Sequence, residues 1–122
     1  MKETKRPMHV LVVDDNDVLR PLTVLTVKQS LSLHVDEADF PNAARSAAFS
    51  QRFDVILFGH SEWMAGVQLY IDLLNKYEDP FQFIMFMKDP KELAPNFTKD
   101  IVAVRKPNID ELIAAVKWDE NL

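Results

Sequence analysis

The chain of 122 residues contains no cysteine. Disulfides, thiol catalysis and thiolate metal sites are therefore excluded, and a reducing compartment is compatible with this composition. Glycine occurs at two positions only, Gly59 and Gly66, so there is no glycine-rich phosphate-binding loop. No apolar run approaches the ~20 residues of a membrane-spanning helix, and the N-terminus has no apolar signal-peptide core. We expect a cytoplasmic protein without membrane contact.

Positive charge is also scarce. Lys and Arg number 14 against 19 Asp and Glu, which gives a formal net charge of −5. Binding to a nucleic-acid backbone needs a basic stripe, so direct contact with nucleic acid is not expected. No Ser/His/Asp arrangement stands at a recognisable spacing, and the sequence does not predict an enzyme.

The length and the hydrophobic fraction of 48% predict one packed domain spanning residues 1–122. Short apolar runs alternate with segments of helical periodicity, which is typical of an α/β sandwich with a five-stranded parallel sheet. The predicted strands lie within residues 10–13, 33–38, 53–58, 81–87 and 101–104.

The first helix is predicted to follow Asp15, with Asn16 or Asp17 as its cap. Val18, Leu22 and Leu25 recur at helical spacing, and we expect them to form its buried face.

A shortened or irregular helix is predicted between the fourth and fifth strands, because Pro90 and Pro95 interrupt residues 88–100. Leu93 and Phe97 would then have to cover one face of these strands, or leave an apolar patch for a homodimer or another protein. Successive side chains of a strand point to opposite faces of the sheet. The face in question therefore carries either Phe83 and Met85 or Ile84 and Phe86 on the fourth strand, and either Ile101 and Ala103 or Val102 and Val104 on the fifth.

Asp14 and Asp15 directly follow the first predicted strand. Carboxyl ends of parallel strands form a crevice where such sheets bind ligands. Adjacent carboxylates repel one another unless a cation lies between them, so the pair favours a divalent metal or a lysine. Lys106, which follows the fifth predicted strand, can supply that charge.

The order and spacing of several fragments resemble the receiver domain of two-component response regulators. These fragments are the run 10–16, Arg20, Ala38, the run 53–57, the run 64–66, and Lys106 with Pro107. The resemblance implies a flavodoxin-like fold with strand order 2-1-3-4-5. It also implies Mg²⁺ on Asp14 and Asp15, a phosphoryl acceptor after the third strand, and a phosphoryl-contacting Lys106.

The sequence departs from that pattern where phosphotransfer needs it most. The acceptor position falls on Gly59, or on Phe58 if the shorter following loop is aligned differently, and neither residue is a nucleophile. Met87 stands in place of the hydroxyl residue, and Ala103 in place of the switching aromatic. We therefore interpret the chain as a degenerate pseudo-receiver that lacks the phospho-acceptor aspartate.

Asp14, Asp15 and Lys106 remain as an acidic pocket, either a weak Mg²⁺ site or a salt bridge between strand ends, and we favour the salt bridge. We expect His60 to be a surface residue without a chemical role. Glu62 is expected to be solvated and not turned inward to replace the missing negative charge. We expect a phosphorylation-independent interaction module in signalling or transcriptional regulation, without a cofactor, whose partner is a signalling protein, an output domain or a second copy. The alternatives are a receiver phosphorylated at an unusual residue and a small-molecule sensor using the crevice.

Overall fold

The computed structural model describes residues 8–31, 34–39, 41–59, 63–78, 81–89, 101–106 and 109–116. Its strands are β1 (His9–Val13), β2 (His34–Ala38), β3 (Val55–Phe58), β4 (Gln82–Met87) and β5 (Val102–Arg105). The helices within these ranges are α1 (Leu19–Leu31), α2 (Pro41–Ser50), α3 (Trp63–Lys76) and α4 (Ile109–Val116). All strand pairs are parallel, in the order β2-β1-β3-β4-β5. The predicted α/β class and strand order are confirmed.

The sheet is covered on both faces, which explains why its central strands are continuous apolar runs. On one face, side chains such as Ile56 and Phe58 pack against α2 and α3. On the other face, Val55 and Leu57 pack against α1 and α4. None of the described helices is long and apolar enough to cross a bilayer.

The predicted buried face of α1 is wrong. Val18, Leu22 and Leu25 are 71%, 52% and 51% exposed, whereas Val24 and Val27 pack against the sheet. The helix carries apolar residues on opposite sides, and periodicity alone does not decide which side a sheet covers. Val24 and Val27 lie in the core, and the leucines Leu22 and Leu25 face solvent.

Phe83, Met85 and Ile101 define the register that the sequence left open. They are at most 1% exposed and belong to the cluster under α2 and α3, with Ala103 partly buried beside them. These residues are therefore covered, and they do not form the apolar patch that was predicted for the case in which this face stays uncovered. Residues 90–100, including Leu93 and Phe97, lie outside the described residues, so the irregular helix stays a prediction.

Gly66 lets α3 approach the sheet closely. A Cβ built on Gly66 would lie 2.6 Å from Cδ1 of the Phe58 ring. That ring is 1% exposed and stacks on Phe83 at a centroid distance of 6.2 Å, so it has little room to move.

We expect Gly66→Ala to lower the free energy of unfolding by about 1–3 kcal/mol, because overpacking against Phe58 outweighs the better helix propensity of alanine. Urea unfolding followed by circular dichroism measures this. Gln68→Ala, at an exposed position of the same helix, is the control and should change stability little. A stabilised Gly66→Ala protein would contradict the close packing.

Candidate functional site

Asp14 lies just beyond β1 and is buried, with 2% of its surface exposed. Its amide donates to the Ala38 carbonyl at the end of β2, at 3.0 Å. Its carboxylate Oδ1 accepts a hydrogen bond from the Asn16 amide at 2.9 Å, and Oδ2 lies 2.8 Å from Lys106 Nζ. Both carboxylate oxygens therefore have a partner within the protein.

Lys106 follows β5, at the opposite side of the sheet from β2, and reaches inward across the end of β4. Its amide donates to the Met87 carbonyl at 2.8 Å, which fixes the start of this path. Along it, Nζ lies 5.8 Å from the centroid of the Phe86 ring. The ammonium then donates to the Gly59 carbonyl at 2.7 Å and pairs with Asp14.

Gly59 follows β3 and lies beside the Asp14–Lys106 ion pair. Its amide donates to the Val13 carbonyl at 2.6 Å, so the ends of β1 and β3 are in register. A Cβ at this position would lie 2.8 Å from Asp14 Oδ2. Phe58, the other residue considered for the acceptor position, points into the core instead. The Asp14 carboxylate thus fills space that any side chain at position 59 would need.

The two acids after β1 lie in different environments. Asp15 is exposed, whereas Asp14 is buried against Lys106. The chain turns between them and α1, where Asn16 Oδ1 accepts hydrogen bonds from the Val18 and Leu19 amides at 2.9 and 2.8 Å. Asn16 is therefore the cap of α1, one of the two residues that the sequence left open.

Arg20 and Glu37 form a contact at this edge that the sequence did not reveal. Arg20 NH1 donates to the Asp14 carbonyl at 2.8 Å, and Nε donates to Glu37 Oε1 at 3.1 Å. Burial acts to lower the pKa of Arg20, but the hydrogen bond with Glu37 and the charge of Asp17 outweigh it and raise the pKa. The predicted β2-β1 neighbourhood was the signal that could have placed Glu37 near the start of α1.

The residues present do not fit a bound Mg²⁺ well. Magnesium takes octahedrally arranged oxygen ligands at close range, usually several waters together with one or two carboxylates that have oxygens to offer it. Of the two predicted ligands, Asp14 is buried with its oxygens bound to Lys106 and the Asn16 backbone amide, whereas Asp15 is exposed. Position 59 contributes no carboxylate. Among the described residues, no group of three or more His, Cys, Asp or Glu side chains is placed to hold a metal ion.

Met87 and Ala103 lie on the α2 and α3 side of the sheet. Met87 is 6% exposed within that cluster, and Ala103 packs against it. Neither side chain carries a hydroxyl or a ring. His60 and Glu62 lie outside the described residues, so their predicted surface positions stay expectations.

No protein-family model matches the chain, and no curated protein matches it. Solved structures do match. The signal receiver domain of an HD domain-containing protein from Pseudomonas fluorescens Pf-5 has a TM-score of 0.78 and 20% identity, covering 97% of this chain and 90% of that one. A structure of histidine kinase ThkA in complex with response regulator TrrA gives a TM-score of 0.75 and 22% identity, with 91% and 97% covered.

The receiver domain of histidine kinase CKI1 from Arabidopsis thaliana, solved with Mg²⁺ and BeF₃⁻, gives a TM-score of 0.69 and 17% identity, with 94% and 91% covered. At these identities the likeness establishes the fold. The chain therefore has the flavodoxin-like receiver fold, the fold of two-component signalling domains.

The contact between position 59 and Asp14 predicts a specific coupling. Gly59→Ala should lower the free energy of unfolding by about 1–3 kcal/mol, because the new methyl group displaces the Asp14 carboxylate from Lys106. In an Asp14→Ala background the same change should cost less than about 0.5 kcal/mol, since the obstructing oxygen is gone. Equal costs in the two backgrounds, measured by urea unfolding, would refute the contact.

Asp14→Ala should itself destabilise the protein by about 1–3 kcal/mol, because Lys106 and the Asn16 amide lose a buried partner. Asp15→Ala is the matched control and should have a much smaller effect, since Asp15 is exposed. Calorimetric titration should show Mg²⁺ binding in the millimolar range (~1 mM) or weaker. A sub-millimolar affinity that Asp14→Ala abolishes would establish a metal site instead.

Proposed function

We propose that this chain is a phosphorylation-independent receiver domain, which serves as a protein-interaction module in two-component-type signalling or transcriptional regulation. The observation that carries the proposal is the closed contact among Asp14, Lys106 and Gly59. The acceptor position holds a glycine, and the lysine expected to contact a phosphoryl group already neutralises Asp14.

Phosphotransfer needs a nucleophile aligned with the leaving group, and cations that neutralise the transferring group. Gly59 has no side chain to attack with. Asp14 is a carboxylate in the same pocket, but it is buried, and its two oxygens bind Lys106 and the Asn16 amide. Attack by Asp14 would require the ion pair to break first, which argues against a receiver phosphorylated at this residue.

Switching needs a second arrangement that an added phosphoryl group can stabilise. In the receiver pattern a hydroxyl and an aromatic side chain provide it, and Met87 and Ala103 stand at those two positions. The Met87 side chain is packed in the core, and Ala103 is too small to exchange between two positions of a ring. These residues support a domain that presents one surface at all times.

The proposed partner is a protein, either a signalling protein or an output domain. Among the structural neighbours, the response regulator TrrA was solved in complex with histidine kinase ThkA, which is an example of protein binding by this fold. The net charge of −5 favours a protein over nucleic acid as the direct partner. A second copy of the chain is a further proposed partner.

A small-molecule sensor in the crevice has less support. Such a sensor needs an open cavity where an acid at position 59 would stand. Asp14 Oδ2 occupies that space, at 2.8 Å from the position of a Cβ on Gly59. Lys106 closes the same space from the β5 side. The region beside Gly59 is therefore filled by the protein's own charged groups.

Incubation with acetyl phosphate and Mg²⁺ should leave the intact mass of the protein unchanged, because Gly59 has no side chain to attack with and the Asp14 carboxylate is held by Lys106. A receiver domain that has the acceptor aspartate serves as the positive control under the same conditions.

Gly59→Asp should also fail to gain a phosphoryl group efficiently, because the new side chain collides with Asp14. In this variant Met87 and Ala103 still replace the hydroxyl and aromatic residues of the receiver pattern. Stable addition of one phosphoryl mass to the unmodified protein would contradict the proposal.

A further inference from the structure

Helix α1 presents an apolar stripe on the side opposite the sheet. The stripe consists of Leu22 and Leu25 on α1 and of Val18, the residue directly before the helix, each more than half exposed. Val24 and Val27 are buried on the other side of the same helix. An amphipathic surface helix normally has a polar outer face, whereas a helix that is apolar all round is usually covered all round. The outer face of α1 therefore has the composition of a contact surface.

Charged groups do not interrupt this stripe. Between Asp17 and Lys28 the sequence has a single charged residue, Arg20. The Arg20 guanidinium binds the Asp14 carbonyl and Glu37, and its NH2 lies 3.4 Å from Asp17 Oδ1. The Arg20 side chain is 17% exposed, whereas that of Asp17 is 90% exposed and open to a second cation. Three turns of α1 thus offer solvent an uncharged surface with one acidic end and one basic end.

The spacing of the stripe is that of a helix–helix seam. Val18, Leu22, Leu25 and the exposed Gln29 are separated by four, three and four residues, which is the a/d pattern of paired helices. In an antiparallel pair centred between Leu22 and Leu25, each leucine faces the other leucine of the second helix. Val18 then faces Gln29.

The charges at the two ends distinguish the orientation. Asp17 and Lys28 are eleven residues apart, which is about three helical turns, so they lie on the same flank of the stripe. Antiparallel pairing of two identical helices brings equal flanks together and opposite ends together. Each Lys28 then lies beside Asp17 of the other copy, whereas parallel pairing would place like charges at the same end.

We propose that the α1 stripe is a self-association surface, through which two copies of the chain pair as antiparallel α1 helices. The contact is isologous, with a two-fold axis between Leu22 and Leu25, and it closes after two copies. It does not involve Asp14, Lys106 or Gly59, so it holds or fails independently of the proposed lack of phosphotransfer.

The size of the surface sets the expected strength. A 13-residue helix is about 20 Å long, and one helix face buries less than the ~800 Å² per partner of a typical stable complex. A weak, reversible dimer with a dissociation constant of roughly 100 μM is therefore expected.

Sedimentation equilibrium of the full chain between about 10 μM and 1 mM covers this range. The unmodified protein should pass from monomer to dimer, and Leu22→Lys should raise the dissociation constant at least about tenfold. Leu74→Lys is the matched control, because Leu74 on α3 is 53% exposed against 52% for Leu22. It should leave the dissociation constant unchanged, and urea unfolding should show both variants folded.

Charge exchange tests the antiparallel orientation. Lys28→Glu alone and Asp17→Lys alone should each weaken the dimer, and the double variant should recover most of the loss. A protein that stays monomeric to 1 mM overturns the proposal and leaves α1 to a different partner. A dimer insensitive to Leu22→Lys, or weakened equally by Leu74→Lys, also overturns it, and absence of recovery in the double variant overturns the orientation.

Discussion

The ion pair between Lys106 and Asp14 joins the carboxyl ends of the first and last strands in the sequence, β1 and β5. Asp14 follows β1 and Lys106 follows β5, and two strands, β3 and β4, lie between them. The lysine must therefore cross the end of β4, where it passes Phe86, and bind the carbonyl at the end of β3. Three of the five strand ends are held through one ammonium group, and its position limits what the neighbouring residues can be.

Glycine at position 59 and the closed pair depend on one another. The Cβ of any side chain at position 59 would lie 2.8 Å from Asp14 Oδ2. An acidic side chain at this position would also add a second negative charge. With glycine, one buried carboxylate faces one ammonium, and the carboxylate's other oxygen accepts an amide hydrogen. Lys106 therefore supplies to Asp14 the positive charge that a divalent cation would otherwise provide.

The fold, and with it the approach of Lys106 to Asp14, could be predicted because parallel strands leave strong signals, namely buried apolar runs whose carboxyl ends meet. The orientation of individual side chains could not. Asp14 and Asp15 are adjacent, and the turn after β1 buries one and exposes the other. Likewise α1 has two apolar faces, and only the packing of Val24 and Val27 on the sheet shows that the stripe with Leu22 faces outward.

We propose that the acidic pocket of this receiver fold stays closed and that the domain has one state. Backbone amide NMR with excess Mg²⁺ and beryllofluoride, a phosphoryl mimic, tests it most directly. If the pocket is closed, the amide resonances of Asp14, Gly59 and Lys106 should not move when both are added. Saturable shifts at these residues, spreading to Met87 and Ala103, would show an open pocket and a working phosphoswitch.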